Sequence, residues 1–288
     1  MTLPSLNLLA QSILSGLFIG ALYGLIGLGL SLTWGLLRQI NLAHFGFTFL
    51  GAYLCYQMSA SWGMDPLVSL AILVPFFFIC GMAQQWLLAR FSITPFNSLL
   101  VTFGMTAMIE SLIQVIWTAD FRKLSSHYSE LKFTLRFGEK ALYVPVPELI
   151  TLLLAVAMCV GVWAAMRFTD LGKAMRAMAE DAPIAAAFGI NEKRLSLLLA
   201  GTCAALAGVA GVCMALSFTL TPSQIYAWVG VVFAAVMLGG LGSAVGPLIA
   251  GCIIGVSEAV TMSVTSPAWA PIVSFTLLIV ILLFRRSH

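Results

Sequence analysis

From Leu3 to Leu37 the chain reads LPSLNLLAQSILSGLFIGALYGLIGLGLSLTWGLL, without one charged side chain. A helix needs about 20 apolar residues to cross the hydrocarbon core of a bilayer. In that core every backbone N–H and C=O must find its partner inside the chain, which leaves helices or closed barrels. The run is continuous in apolar character and lacks the alternation of a barrel strand, so it reads as a membrane-spanning helix. The rest of the chain agrees. Only 9% of its 288 residues are charged and its mean hydropathy is +1.03, whereas soluble domains carry about 25% charged residues.

Apolar segments recur at roughly 9–36, 40–60, 66–89, 96–119, 144–167, 194–219, 225–242, 245–265 and 268–284. They predict an all-α integral membrane protein, a single polytopic bundle over 1–288 with about eight to nine transmembrane helices. The joint between the seventh and eighth, GGLGSAVGP (Gly239 to Pro247), suits either a tight turn or a broken, re-entrant piece. The opening MTLPSLNLLAQS has no Lys or Arg, so the basic start of a cleavable signal peptide is missing and the first segment is expected to stay. Cys55, Cys80, Cys159, Cys203, Cys213 and Cys252 all lie in apolar stretches without metal-ligand spacing and read as packing residues.

Charge placement gives an orientation. With alternating spans, Arg38, Arg90, Arg167, Lys173, Arg176, Lys193, Arg194, Arg285 and Arg286 share one side. Arg122, Lys123, Lys132, Arg136 and Lys140 share the other, diluted by Asp120, Glu130 and Glu139. The more basic side is expected to be cytoplasmic. Nine spans then put the N-terminus outside, the loop 120–143 outside, and the loop 170–193 and the C-terminus in the cytoplasm. A net charge of +3 gives no footprint for nucleic acid.

The inside loop contains GKAMRAMAEDAPIAAAFGIN (Gly172 to Asn191), a charged stretch in an apolar chain. Leu171, Ala174, Met175 and Met178 recur at helical spacing and make one apolar face, with Lys173, Arg176 and Glu180 elsewhere. Asp181 before Pro183 reads as an N-cap followed by an early-helix proline, and Gly189 as the left-handed residue that closes a second short helix. Such a pair either lies on lipid headgroups or docks a soluble partner.

Glycine organises the spans. Gly16, Gly20 and Gly24 recur every four residues, as do Gly242 with Gly246 and Gly251 with Gly255. Small residues at that period let helix backbones approach closely in lipid, where apolar side chains gain little by leaving the tails. A faint likeness between 24–51 and 230–255 hints at an internal repeat.

Chemistry-bearing residues inside the spans are few: Asn41 and His44 in INLAHFGF, Gln84, Gln85, Thr102, Thr106, Glu110, Gln114 and Glu258. A charge at mid-bilayer costs roughly 2.5–3.5 kcal/mol, so Glu110 and Glu258 either face a pathway or hold the bundle through hydrogen bonds. His44 suits a structural hydrogen bond or a solute contact. Asn41 stands where a helix cap is expected. No metal set, no paired nucleophile and base and no P-loop G-x-x-x-x-G-K-[ST] occurs, so neither a bound metal, nor an enzyme, nor an ATP-hydrolysing P-loop is expected in this chain.

Several stretches resemble one family. LIGLGLSLTWGLLRQINLAHFGFTFLGAYL, NSLLVTFGMTAMIESLIQVIW, DLGKAMRAMAEDAPIAAAFGIN and GGLGSAVGPLIAGCIIGVSEA follow, in order, the pattern of permease subunits of branched-chain amino acid ABC importers. The resemblance implies half of a translocation pathway in a bacterial inner membrane. A second, usually different, permease subunit completes it. Two ATPase subunits bind the ATP and dock from the cytoplasm, and a soluble solute-binding protein delivers solute outside. Gly172, Arg176, Asp181, Ala185 and Gly189 fall in its coupling loop, and no cofactor is expected on the chain itself. The solute implied is a branched-chain amino acid or a related small molecule. Urea, short amides and other amino acids remain alternatives within the family. A secondary transporter, the alternative from another class, leaves the insert without a purpose. In one place the pattern differs: Phe45 follows His44 where the family has glycine, and a ring there would narrow the path if the motif borders it.

Overall fold

The computed structural model describes residues 6–91, 94–137 and 140–284. Arg285 and Arg286, counted above on the more basic side, lie outside the described residues, as do Glu139 and both chain ends. The helices are α1 (Leu6–Leu37), α2 (Ala43–Trp62), α3 (Pro66–Arg90), α4 (Pro95–Trp117), α5 (Val146–Phe168), α6 (Asp170–Glu180), α7 (Ala182–Ala187), α8 (Glu192–Ser217), α9 (Ile225–Gly239), α10 (Gly246–Val264) and α11 (Ala270–Phe284). The strands β1 (Lys132–Phe137) and β2 (Lys140–Pro145) pair antiparallel, Leu135 opposite Leu142. The hairpin begins within the loop expected at 120–143 and runs on to Pro145.

Seven helical segments among the described residues are long and apolar enough to cross a membrane: Asn7–Leu37, Pro66–Arg90, Pro95–Trp117, Val146–Phe168, Glu192–Ser217, Pro222–Gly239 and Gly246–Val264. The segment expected at 40–60 forms α2, a helix of 20 residues buried along most of its length. The segment at 268–284 forms α11, preceded by one 3-10 turn. The chain is a polytopic helical membrane protein.

Two helices make its centre. α1, 32 residues and about 48 Å long at 1.5 Å per residue, packs against α10, α8, α5 and α9. α8 packs against α3, α2 and α1. Its run GTCAALAGVAGVCMAL is small or apolar on every side, as a helix surrounded by protein requires. The apolar faces of α4 and α11 are open, with Met108, Val115 and Ile279 among their exposed side chains.

The Gly239–Pro247 joint is a tight turn. Gly240 and Gly242 take φ of 94° and 76°, which non-glycine residues rarely adopt. Ser31 on α1 fastens the turn, its Oγ donating to the carbonyls of Gly240 (3.1 Å) and Ser243 (3.2 Å) while its own carbonyl accepts from Gly242 N (2.9 Å).

α1 also separates the two polar ends. Near its start the Gln11 amide bonds both ways with the Tyr143 backbone (2.9 and 3.0 Å) and so holds the hairpin. Just past its end, Arg38 donates to the Ala179 carbonyl (3.1 Å) at the last turn of α6. There a cation meets the carbonyl ends of two helices, α1 and α6. The loop 120–143 and the insert 170–193 therefore lie at opposite ends of the bundle.

Candidate functional site: the helical insert and the buried polar groups

The insert is two capped helices. Thr169 Oγ1 accepts from Gly172 N (3.1 Å) to start α6, and Asp181 Oδ1 accepts from Ile184 N (3.0 Å) to start α7, with Pro183 in its first turn. Gly189 closes α7 with φ +85°, its N–H bonding Ala186 O (2.9 Å). The Lys173–Asp170 pair (2.9 Å) is exposed, so it adds little.

The apolar face of α6 has a different partner from the one its amphipathicity suggested. Met175 and Met178 are 4% and 6% exposed and pack with Leu28, Leu32, Leu195 and Leu199 of this same chain. Leu171, at the edge of the same apolar face, is exposed. Gly172 serves close approach and no turn: it sits inside α6, and a Cβ there would come within 2.3 Å of Met166 O. α6 is thus locked to the bundle, and Ala185 anchors α7 from beneath. What points outward is Ile184 and Phe188, 57% and 85% exposed, with Arg176 and Asp181 also exposed. Behind the insert a cavity of about 620 Å³ is lined by Arg38, Gln85, Glu180, Asp181 and Lys193, among others.

The Asn41 motif ties four helices together. Asn41 does not cap α2, which begins after Leu42 with no side-chain cap. Its carboxamide instead pairs with that of Gln84 on α3 (2.8 and 3.5 Å). Thr102 on α4 accepts from Leu42 N (3.1 Å) and donates back to Ser98 O (2.7 Å). His44 is buried with Nε2 2.9 Å from Ile26 O, and its ring lies against Gly29, so it clamps α2 to α1. Phe45 is also buried and stacks on Phe233 of α9 at 6.3 Å. Its ring fills the core between α2 and α9.

The two membrane glutamates differ. Glu258 is buried, and both its oxygens are partnered: Tyr23 Oη of α1 donates to Oε2 (3.0 Å) and Ser274 Oγ of α11 donates to Oε1. It joins three helices. Glu110 is half-buried on α4, accepting from Gln114 (3.2 Å) and standing close to Tyr226 of α9. Nothing in the sequence marks Tyr23 and Ser274 as the partners of Glu258, because a lone hydroxyl in an apolar run carries no signal.

The glycines of α1 and α10 form one seam. A Cβ on Gly16, Gly20 or Gly24 would come within 2.5 Å of the α10 backbone, at Val256, Gly251 and Leu248. From the other side, one on Gly251 or Gly255 would strike Gly20 O (2.5 Å) or Gly16 O (2.3 Å). Gly242 and Gly246 stand apart from this seam: Gly242 turns the chain beside Gly35, and Gly246 abuts Gly239 O. At the hairpin end, the Tyr128 phenol donates to Asp65 (2.8 Å), which pushes its pKa above the usual phenol value. Among the described residues, no three His, Cys, Asp or Glu side chains converge as a metal site would need.

Comparison with known proteins places this architecture. The family model described as "Branched-chain amino acid transport system / permease component" matches residues 12–282. The high-affinity branched-chain amino acid transport system permease protein LivH of Salmonella typhimurium is 27% identical over 284 residues, covering 95% of this chain and 92% of LivH. BraD of Pseudomonas aeruginosa, with the same description, is 27% identical over 300 residues, covering 99% and 96%. A probable LivH of Methanocaldococcus jannaschii is 28% identical over 245 residues, covering 81% and 75%. No solved structure matches. The family match takes in the insert, the α1–α10 seam and the Asn41–His44 junction together, and the chain belongs to the branched-chain amino acid transport system permease family.

Proposed function

We propose that the chain is one half of the membrane pathway of an ATP-driven importer for branched-chain amino acids or a closely related small solute. A second permease subunit completes the pathway, two ATPase subunits engage the insert, and a soluble binding protein meets the hairpin end. The insert end is cytoplasmic in this reading, since Arg38, Arg90, Arg167, Lys173, Arg176, Lys193 and Arg194 gather there.

The observation that carries the proposal is the division of labour in the insert. α6 buries its methionines in the bundle, while α7 presents Ile184 and Phe188 outward from a rigidly capped turn. A displacement imposed on α7 then reaches α1, α5 and α8 through packed side chains and not through a slack loop. Apolar anchors of this kind, ringed by Arg176 and Asp181, suit a groove on a protein partner.

Co-purification with the ATPase subunits of its own transport system tests this. Ile184→Ser with Phe188→Ser should abolish capture of the ATPase while the chain elutes as the unchanged protein does. Replacing 172–191 wholesale would be a poorer test, because it also strips Met175 and Met178 from the core. Undiminished capture by the double variant would remove α7 from the interface.

A further inference from the structure

At the hairpin end, α1, α5, α8 and α10, with Pro145 of β2, border a second, partly open cavity of about 260 Å³. Its lining includes Phe18, Leu22 and Phe218, the hydroxyl residues Thr151 and Ser217, and one carboxylate, Glu148. Among the described residues, no Lys, Arg or His lines it.

Glu148 stands out there. Its Oε2 is buried with no hydrogen-bond partner among the described residues; Tyr53 Oη is the other side-chain atom in that position. Glu148 as a whole is only half-buried, but leaving a buried polar atom without a partner is costly, and Glu258 has both oxygens bonded. The hydroxyls sharpen the pattern. Thr151 Oγ1 donates its one proton to Pro147 O (3.1 Å). Ser217, 3.4 Å away, therefore donates to Thr151, and the remaining lone pairs are acceptors. The cavity thus offers a carboxylate and hydroxyl acceptors on one side and apolar walls on the other.

We infer that this cavity binds the ammonium group of a small aliphatic solute, with Glu148 as counter-ion, Ser217 as a second acceptor, and Phe18, Leu22 and Phe218 around the alkyl part. An ammonium brings three donors on one atom to a site made of acceptors. A bare metal cation would want a shell of six or more oxygens, which these walls do not supply. An anionic solute would meet the Glu148 carboxylate with no Lys, Arg or His among the described lining residues to offset it. The inference rests on the transport reading for the class of solute, though not for the binding itself.

The test is equilibrium binding to the full-length chain in lipid nanodiscs by titration calorimetry. Isoamylamine, an ammonium on a branched alkyl chain, is the probe, and isovalerate, the matching carboxylate, is the control. Isoamylamine should bind, isovalerate should not, and Glu148→Gln should weaken isoamylamine about ten- to a hundredfold, as loss of one charge-assisted hydrogen bond does. Glu148→Asp, which keeps the charge but retracts it, should fall between. If Glu148→Gln aggregates on size exclusion, Ser217→Ala takes its place and must also weaken the probe. Equal affinity in the variant and unchanged chains, no binding by the unchanged chain, or equal binding of isovalerate would each overturn the site. A failed transport reading looks different: Glu148-dependent binding would persist while ATP-dependent uptake was absent.

Discussion

Glu258 holds α1, α10 and α11 together by accepting from Tyr23 and Ser274. Its insertion cost alone demanded partners, but the donors Tyr23 and Ser274 lie 235 and 16 residues away in sequence, and no local pattern points to them. Glu258→Leu should strand the buried Tyr23 hydroxyl at a cost of about 1–3 kcal/mol and leave Ser274 only its longer bond to Ala270 O (3.4 Å), lowering the melting temperature measured in detergent by fluorescence. The triple change with Tyr23→Phe and Ser274→Ala should recover part of that loss, because it removes those hydroxyls too. A triple variant no more stable than Glu258→Leu would show that the hydrogen bonds are not what Glu258 supplies. The seam makes a second prediction at this scale. Gly20→Leu must push α10 away and should cost about 1–3 kcal/mol or more. Gly104→Ala, at an open helical position, should instead be neutral or stabilising by up to about 1 kcal/mol. Equal melting temperatures for the two variants would contradict the α1–α10 approach.

The insert marks the boundary of what sequence conveys about an element. Asp181, Pro183 and Gly189 announced the start and end of α7 because capping is local chemistry: a carboxylate three residues from an orphan N–H, and a residue free to take positive φ. The periodicity of Met175 and Met178 announced an apolar face equally well. What that face covers is a tertiary fact, and here it covers Leu28, Leu32, Leu195 and Leu199 of the same chain. Asn41 misled for a related reason, since its amide found Gln84 on another helix before any backbone N–H of its own. The hairpin passed unnoticed in KFTLRF and KALYVP, where alternation over six residues is brief beside apolar runs four times longer. The two helices of the insert should therefore respond differently. Met175→Asp buries a charge against leucines and should cost several kcal/mol in stability. Phe188→Asp should leave the melting temperature nearly unchanged while weakening ATPase binding tenfold or more, as an apolar anchor at an interface would. A stable Met175→Asp chain would mean the burial of α6 is misassigned, and a destabilised Phe188→Asp chain would mean the same of the outward face of α7.

For the whole molecule, the polytopic helical class was legible from one charge-free run, because bilayer thickness and backbone satisfaction leave so few choices. The arrangement of the helices was not, since lipid gives apolar faces no preferred direction and packing is settled by small residues meeting at a distance. Charge is what orients the assembled bundle, and the account depends on its direction: the insert end must face the ATPase in the cytoplasm, and the hairpin end the arriving solute. Sided labelling reads that direction in one measurement. In a chain freed of its six cysteines, Phe188→Cys and Glu130→Cys are exposed in turn to a membrane-impermeant maleimide, in intact cells and in inverted vesicles. The account predicts that Glu130→Cys reacts in intact cells. It predicts that Phe188→Cys reacts only in inverted vesicles, and loses that reactivity when the ATPase is bound. Reaction of Phe188→Cys in intact cells would contradict it.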